Sequence, residues 1–453
     1  MANWIRTTVA AAFSALICAS PLSAETLADA LATAYRTSGL IEQNRAVLRA
    51  ADEDVAQSLA ALRPVLNYTA GVTFTDPTFD NNLAASLSLS ANILLYDFGR
   101  SRLGTDVAKE TVLATRAALA DVENTVLFNT VNAYLAVRRS EAFVGLRENN
   151  VRLLMQQLRA TQDRFEVGEV TRTDVSLAEA FLAAARSGLA AEQGVLARAQ
   201  EEYRAVVGVY PNRLAPPPRI PAVPGSEDAA RNIARQTNPQ VLQVQHQVTA
   251  AELAVQSAGL ATRPTLNAFG SYTFDEKGDD STSAGIELSG PIYQGGAIAS
   301  GLRQAQAQRD QVRAQLYTTG LLVDQQVGNA YANLAVAIAS IDASDRQVTA
   351  ARLALEGVQE ELQLGARTTL DVLDQEQELL DAQTNLVSAQ VDRHIAAYQV
   401  LDAMGTLTAE KLGLNVPIYD PAAYYNAVKD GPTYNVSPQG KRLDRVLRAI
   451  GKE

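Results

Sequence analysis

The chain has 453 residues, 47 % hydrophobic and 20 % charged, which is the composition of an ordinary folded protein and excludes a fibrous or low-complexity one. Its net charge of −11 argues against a nucleic-acid partner. A single cysteine, Cys18, and two histidines, His246 and His394, leave no disulfide and no spacing that suits a metal or a nucleophilic site.

The N-terminus reads as a secretory signal peptide over residues 1–24. Arg6 supplies the charged start, Val9 to Ala19 the apolar run, and Leu22-Ser23-Ala24 the small-residue end before Glu25. Cleavage after Ala24 removes Trp4, Cys18 and Arg6, so the exported chain has a net charge of −12 and no thiol. Ala15-Leu16-Ile17 puts no small residue before Cys18, so no lipid anchor is expected. No later segment offers the ~18 uninterrupted apolar residues of a spanning helix. Any membrane span must be made of strands.

A first repeat is expected over 25–210, with strands at about 65–75 and 83–95. Leu66, Tyr68, Ala70, Val72 and Phe74 alternate with Asn67, Thr69, Gly71, Thr73 and Thr75. Leu87, Leu89, Ala91 and Ile93 likewise alternate with Ser86, Ser88, Ser90 and Asn92. Runs of ~10 residues, apolar on one side and small and polar on the other, fit a membrane β-barrel as well as a soluble hairpin with one buried face. The polar side is Ser/Thr/Asn/Gly rather than charged, and aromatics stand near the strand ends, which favours the barrel. Ser101–Glu166 then holds almost no Gly and no Pro, so a single helix of roughly 100 Å is expected at ~1.5 Å per residue.

The Pro-rich run over 211–226 cannot continue a helix and divides the chain. Beyond it, 227–408 repeats the first unit. Asn132-Ala133-Tyr134 returns as Asn329-Ala330-Tyr331, and Thr173-Asp174-Val175 as Leu370-Asp371-Val372, both at an offset of 197; Arg63-Pro64 returns as Arg263-Pro264 at 200. Strands are expected at about 265–275 and 283–293, with Leu266, Ala268, Tyr272 and Phe274, then Ala284, Ile286, Leu288 and Ile292, on the apolar side. A second long helix is expected from Ala297 to Gln363. Ile341, Val348, Leu355 and Leu362 recur every seven residues, as do Leu373, Leu380, Val387, His394 and Leu401 beyond the turn at Gly365. The two seams form an antiparallel coiled coil with His394 at a core position. His246 lies in a Gln-rich amphipathic stretch and should face solvent. Residues 409–453 are a C-terminal tail.

The fold class is therefore a mixed α/β membrane protein of two tandem helix–strand–strand–helix repeats. Four strands cannot close a barrel, and an open edge does not survive in lipid. Three copies would give twelve strands, continued by a helical barrel.

Two carboxylates, Asp371 and Asp374, open the last long helix. Thr368-x-x-Asp371 is a capping box, as is Thr171-x-x-Asp174 in the first repeat, so Asp371 is explained by helix capping alone. Asp374 is not, because Leu177 stands 197 residues before it. Around a threefold axis the pair would become two stacked rings of carboxylates, an arrangement that selects cations. The turns Val167-Gly168-Glu169 and Leu364-Gly365-Ala366 are the far tips of the helical pairs. They suit end-on docking of a partner, although Gly168 and Gly365 also serve as helix caps.

Together the signal peptide, the duplicated unit, "NPQVL" at 238–242, "LYDFGRS" at 95–101, "RFEVGEVTRTDVSLAEA" at 164–180 and "LGARTTLDVLD" at 364–374 resemble the TolC family of outer-membrane channel-tunnels, closest to its type I secretion branch. The resemblance runs from about Glu25 to Leu414. It implies a homotrimer set in outer-membrane lipid, with a large periplasmic part, no cofactor and no enzymatic activity. It further implies a periplasmic adaptor and an inner-membrane ABC or RND-type transporter as partners, in secretion or efflux. The tail beyond Asn415 would join a belt around the tunnel or stay partly disordered. By the same resemblance Asp371 and Asp374 line the periplasmic constriction, and Arg367 with Thr173 and Asp174 of the other hairpin forms a closed-state latch. Leu362 stands where a tyrosine would complete that latch. The competing reading is a periplasmic coiled-coil scaffold or surface structural protein, which leaves the repeated strands without a role.

Overall fold

The computed structural model describes residues 24–75, 82–275, 278–429, 441–442 and 445–446. The signal peptide through Ser23, the first strand–strand loop at 76–81 and most of the tail beyond 429 lie outside the described residues.

Each repeat opens with two helices where one was expected. In the first, α1 (Leu27–Thr37) stops at Ser38 and α2 (Gly39–Ala60) follows. The Ser38 hydroxyl accepts from the Ile41 amide and caps the second helix. Two hundred residues later Asn238 plays the same part. It accepts from the Gln240 amide at 2.9 Å, and Pro239 occupies the first helical turn, where its missing N–H costs nothing. These caps separate α5 (Glu227–Thr237) from α6 (Pro239–Gly259).

Strands β1 (Val65–Thr75) and β2 (Asn82–Tyr96) precede the first long helix, α3 (Arg100–Glu166), and α4 (Arg172–Val207) follows it. The second repeat supplies β3 (Thr265–Asp275), β4 (Asp280–Ser289), α7 (Ala297–Gln363) and α8 (Thr369–Ala403). The fourth strand ends at Ser289, short of the expected 293. Pro291 has no amide to give a ladder, and Ile292 is fully exposed outside it.

The strand-to-helix corners repeat at the level of backbone angles. Phe98 and Gly99 have φ of 59° and 86°, and Gly295 and Gly296, at the offset of 197, have 59° and 87°. Glycine takes this left-handed region freely, whereas a phenylalanine there is uncommon. Phe98 is held by its ring, 4.8 Å from the Tyr96 ring and 5.6 Å from the Arg263 guanidinium. Asp97 completes the corner, accepting from the Gly99 and Ser101 amides.

The strands form one antiparallel sheet in the order β1-β2-β3-β4. Leu66, Tyr68, Val72, Ile286 and Leu288 stand exposed on it. On the other side Ser88 and Thr273, directly paired in register, hydrogen-bond at 2.7 Å, and Ser271 and Ser283 do so at 2.8 Å. Cross-strand hydroxyl pairs of this kind stabilise the polar side of a sheet.

The chain divides into two compact units that cut across the repeats. One comprises Met1–Thr37, Asn129–Pro221 and Ala337–Ile395, the other Ser38–Phe128, Ala222–Val336 and Ala396–Glu453. In the first unit Val151 and Leu154 of α3 pack on Ala178, Leu182 and Ala185 of α4 and on Leu373 of α8. Val348 and Ala351 of α7 meet Ala382 of α8, the small residues allowing close approach. The N-terminal end is tied down here: the Glu25 carboxylate accepts from the Tyr203 hydroxyl at 2.7 Å, and Tyr134 donates to the Ala215 carbonyl at 2.7 Å. In the second unit Leu48, Val55, Val112 and Leu119 form a core between α2 and α3. The start of the tail is ordered: α9 (Pro421–Val428) packs Tyr424 and Val428 on Ala56, and Tyr424 donates to Glu53 at 2.7 Å.

Candidate functional site

The candidate site lies at the α3–α4 and α7–α8 turns, all of it within the first unit. Each long helix ends in the same motif. The Glu169 amide returns to the Arg164 carbonyl and the Ala366 amide to the Glu361 carbonyl, both at 2.9 Å. These six-residue closures need a left-handed residue in the turn, and Gly168 and Gly365 supply it at φ 80° and 76°. The turns present apolar side chains outward: Val167 is 72 % exposed and Leu364 84 %.

Both capping boxes are formed. Asp174 accepts from the Thr171 amide and hydroxyl, and Asp371 from those of Thr368 at 2.8 Å each. These hydrogen bonds, the backbone one first, hold the Asp371 carboxyl below the usual carboxylate range, so it stays charged. Asp374 is exposed one turn further along α8 and has no hydrogen bond or ion pair among the described residues.

Arg367 has a different partner from the expected one. Its Nε donates to Glu361 at 2.8 Å, an acid six residues back that the turn folds alongside it. Within one chain it does not reach Thr173 or Asp174, whose carboxylate is engaged in its own cap.

Sequence reasoning missed Glu376. It is 7 % exposed, one of its oxygens has no hydrogen-bond partner, and burial pushes its carboxyl up to about 7. The signal was present in the spacing, because Leu373, Glu376 and Leu380 step by three and four along the seam. The two histidines have more specific surroundings than expected. His246 is not simply solvated but stands 2.8 Å from Glu110, and His394 is half-buried and lines a cavity with the seam residues Ile341 and Val387.

Nothing in this arrangement provides a metal centre or a spanning helix: no cluster of three metal-ligating side chains, and no helix long and apolar enough to cross a membrane, occurs among the described residues. What it offers is two carboxylates per chain at the turn of a helical hairpin, Asp371 half-buried in its cap and Asp374 exposed. The family model described as "Outer membrane efflux protein" matches residues 33–209 and 230–406, one match per repeat. The chain belongs to this outer membrane efflux protein family. It is 35 % identical to the outer membrane efflux protein BepC of Brucella suis, over 90 % of this chain and 91 % of the relative. It is 27 % identical to the outer membrane protein TolC of Escherichia coli (86 % and 83 %), and 26 % identical to the alkaline protease secretion protein AprF of Pseudomonas aeruginosa (74 % of each). Among solved structures, CusC superposes with a TM-score of 0.76 at 18 % identity, over 84 % of this chain and 92 % of that one. VceC of Vibrio cholerae gives 0.73 at 20 % identity, over 84 % and 96 %. Members of the efflux family are outer-membrane proteins, and so is this one.

Proposed function

We propose that three copies of the chain form the outer-membrane exit duct of a tripartite type I secretion or efflux system, without enzymatic activity of its own. A periplasmic adaptor and an inner-membrane ABC or RND-type transporter would complete the assembly. The observation that carries the reading is the sheet. Among the described residues its outer strands β1 and β4 each pair on one edge only, and its apolar side is exposed. An open edge beside such a face has no stable place in water or in lipid, whereas edge-to-edge closure of three sheets removes every edge. Relatives named for efflux and for protease secretion support the direction of transport.

In this assembly Asp371 and Asp374 stack as two acidic rings and set cation preference at the periplasmic mouth. Arg367 exchanges Glu361 for Thr173 and Asp174 of a neighbouring hairpin when the mouth closes. The Val167-Gly168-Glu169 and Leu364-Gly365-Ala366 turns meet the adaptor. Single-channel recording of the purified protein tests the reading, with Asp371→Ala combined with Asp374→Ala beside the wild type. A cation-selective current that rises or loses selectivity in the double variant is expected. A current indifferent to the change would return Asp371 to helix capping and remove the gate role from both acids, and absence of current from intact trimers would overturn the duct itself. In the same recordings, Arg367→Ala and Asp174→Ala without effect would end the latch.

A further inference from the structure

A cavity of about 280 Å³ opens in the first unit, bordered by α3, the Pro-rich linker, α7 and α8. Its walls are mostly apolar: Leu135 from α3, Pro217 and Ile220 from the linker, Ile341 from α7 and Val387 from α8. Its polar groups are Arg138, Gln390, Arg393 and His394, and no carboxylate borders it among the described residues.

The nearby acids are already committed. Glu141 takes one end of the Arg138 guanidinium at 3.0 Å, and Asp392 pairs with Arg139 on the adjoining surface. What remains toward the cavity is an excess of positive charge. Beside its pair with Glu141 the Arg138 side chain stays 31 % exposed, and Arg393 has no ion pair among the described residues. Burial and the Arg393 charge together lower the His394 pKa, so the imidazole at neutral pH offers a neutral donor and acceptor rather than a third cation.

From the convergence of Arg138, Arg393 and Gln390 on an otherwise apolar cavity, we propose that this is a binding site for a small amphipathic anion, a carboxylate on a compact hydrocarbon body. Small-molecule sites are concave and largely apolar, with few polar groups to set orientation. The volume holds roughly nine water-sized groups at ~30 Å³ each, the size of an aryl or short alkyl carboxylate. The carboxylate lies against the guanidinium groups of Arg393 and Arg138, whose planar donors suit it. The hydrocarbon lies along Ile220 and Val387. A ligand there touches four segments at once, so it ties the linker between the repeats to the coiled coil of the second repeat. Neither the gate acids nor the sheet takes part, and the site stands or falls independently of the duct.

The probe is 3-phenylpropanoate, titrated calorimetrically into the full chain held in lipid nanodiscs, with 3-phenylpropanamide as its neutral counterpart. One anion per chain is expected, bound at least tenfold more tightly than the amide. Arg393→Gln and Arg138→Gln should each weaken it about tenfold or more, and added salt should weaken it as well. Ile220→Trp, which keeps every charge and fills the apolar wall, should abolish it. Equal binding of acid and amide, retention of binding in both arginine variants, or no binding by the wild type would each overturn the proposal. Inorganic phosphate bound as tightly as the carboxylate would overturn the amphipathic part.

Discussion

Glu376 shows how one buried residue contributes a pH dependence to the stability of the fold. A carboxyl held neutral by burial binds its proton up to about pH 7, whereas an ordinary glutamate loses it near 4.5. Between those values the folded chain holds more protons than the unfolded one, so stability falls as pH rises through that window and is flat above it. The shift corresponds to on the order of 3 kcal/mol per chain. Glu376→Gln cannot ionise and should flatten the slope of melting temperature between pH 4.5 and 7. The difference between variant and wild type isolates this carboxyl from Asp52 and Asp402, which burial raises to about 6. Parallel melting curves for the two proteins would show that Glu376 is not the titrating group. Asp371 behaves oppositely, because its cap stabilises the charged form.

At the scale of elements, much of the architecture was legible because it is written in long regular patterns. The limits of α7 follow from a long stretch without Pro, and the repeat survives even in paired φ values at 98–99 and 295–296. What stayed hidden depends on single side chains. The break at Asn238 is one amide caught between two jobs: it accepts from the Gln240 amide, and its Nδ2 donates to the Ala403 carbonyl at 2.9 Å in a buried setting. A helical period carries no trace of that. The Arg367–Glu361 contact was hidden for the same reason, since the pattern shows a turn but not which acid the turn folds beside it. The two caps can be told apart by substitution. Ser38→Ala removes a cap alone and should cost about 1 kcal/mol. Asn238→Ala also strands the buried Ala403 carbonyl and should cost about 2–3 kcal/mol. Denaturant midpoints would show the ordering, and equal losses would mean that the contact to Ala403 contributes nothing.

For the whole molecule, the sheet must choose which side meets lipid, and β4 decides it. Ser283, Gly285, Glu287 and Ser289 fall on one side, Ala284, Ile286 and Leu288 on the other. Glu287 stands opposite Asn267 in register, on the side that carries the Ser271–Ser283 hydroxyl pair. A carboxylate has no place against hydrocarbon, so in the proposed barrel this side lines water and the Ile286 side meets the bilayer. Arginine placed on the two sides should then have different consequences. Ile286→Arg should cost about 2–4 kcal/mol per chain near the midplane, tripled by threefold symmetry, and should reduce the yield of heat-modifiable trimers in the outer membrane. Ser283→Arg should leave insertion nearly intact while narrowing the lumen and lowering the conductance of the assembled pore. The reverse pattern, with Ser283→Arg failing to insert and Ile286→Arg conducting normally, would invert the sheet. Equal insertion of both variants would mean that neither side meets lipid, and the exposed leucines and isoleucines of the sheet would then have to be buried against protein.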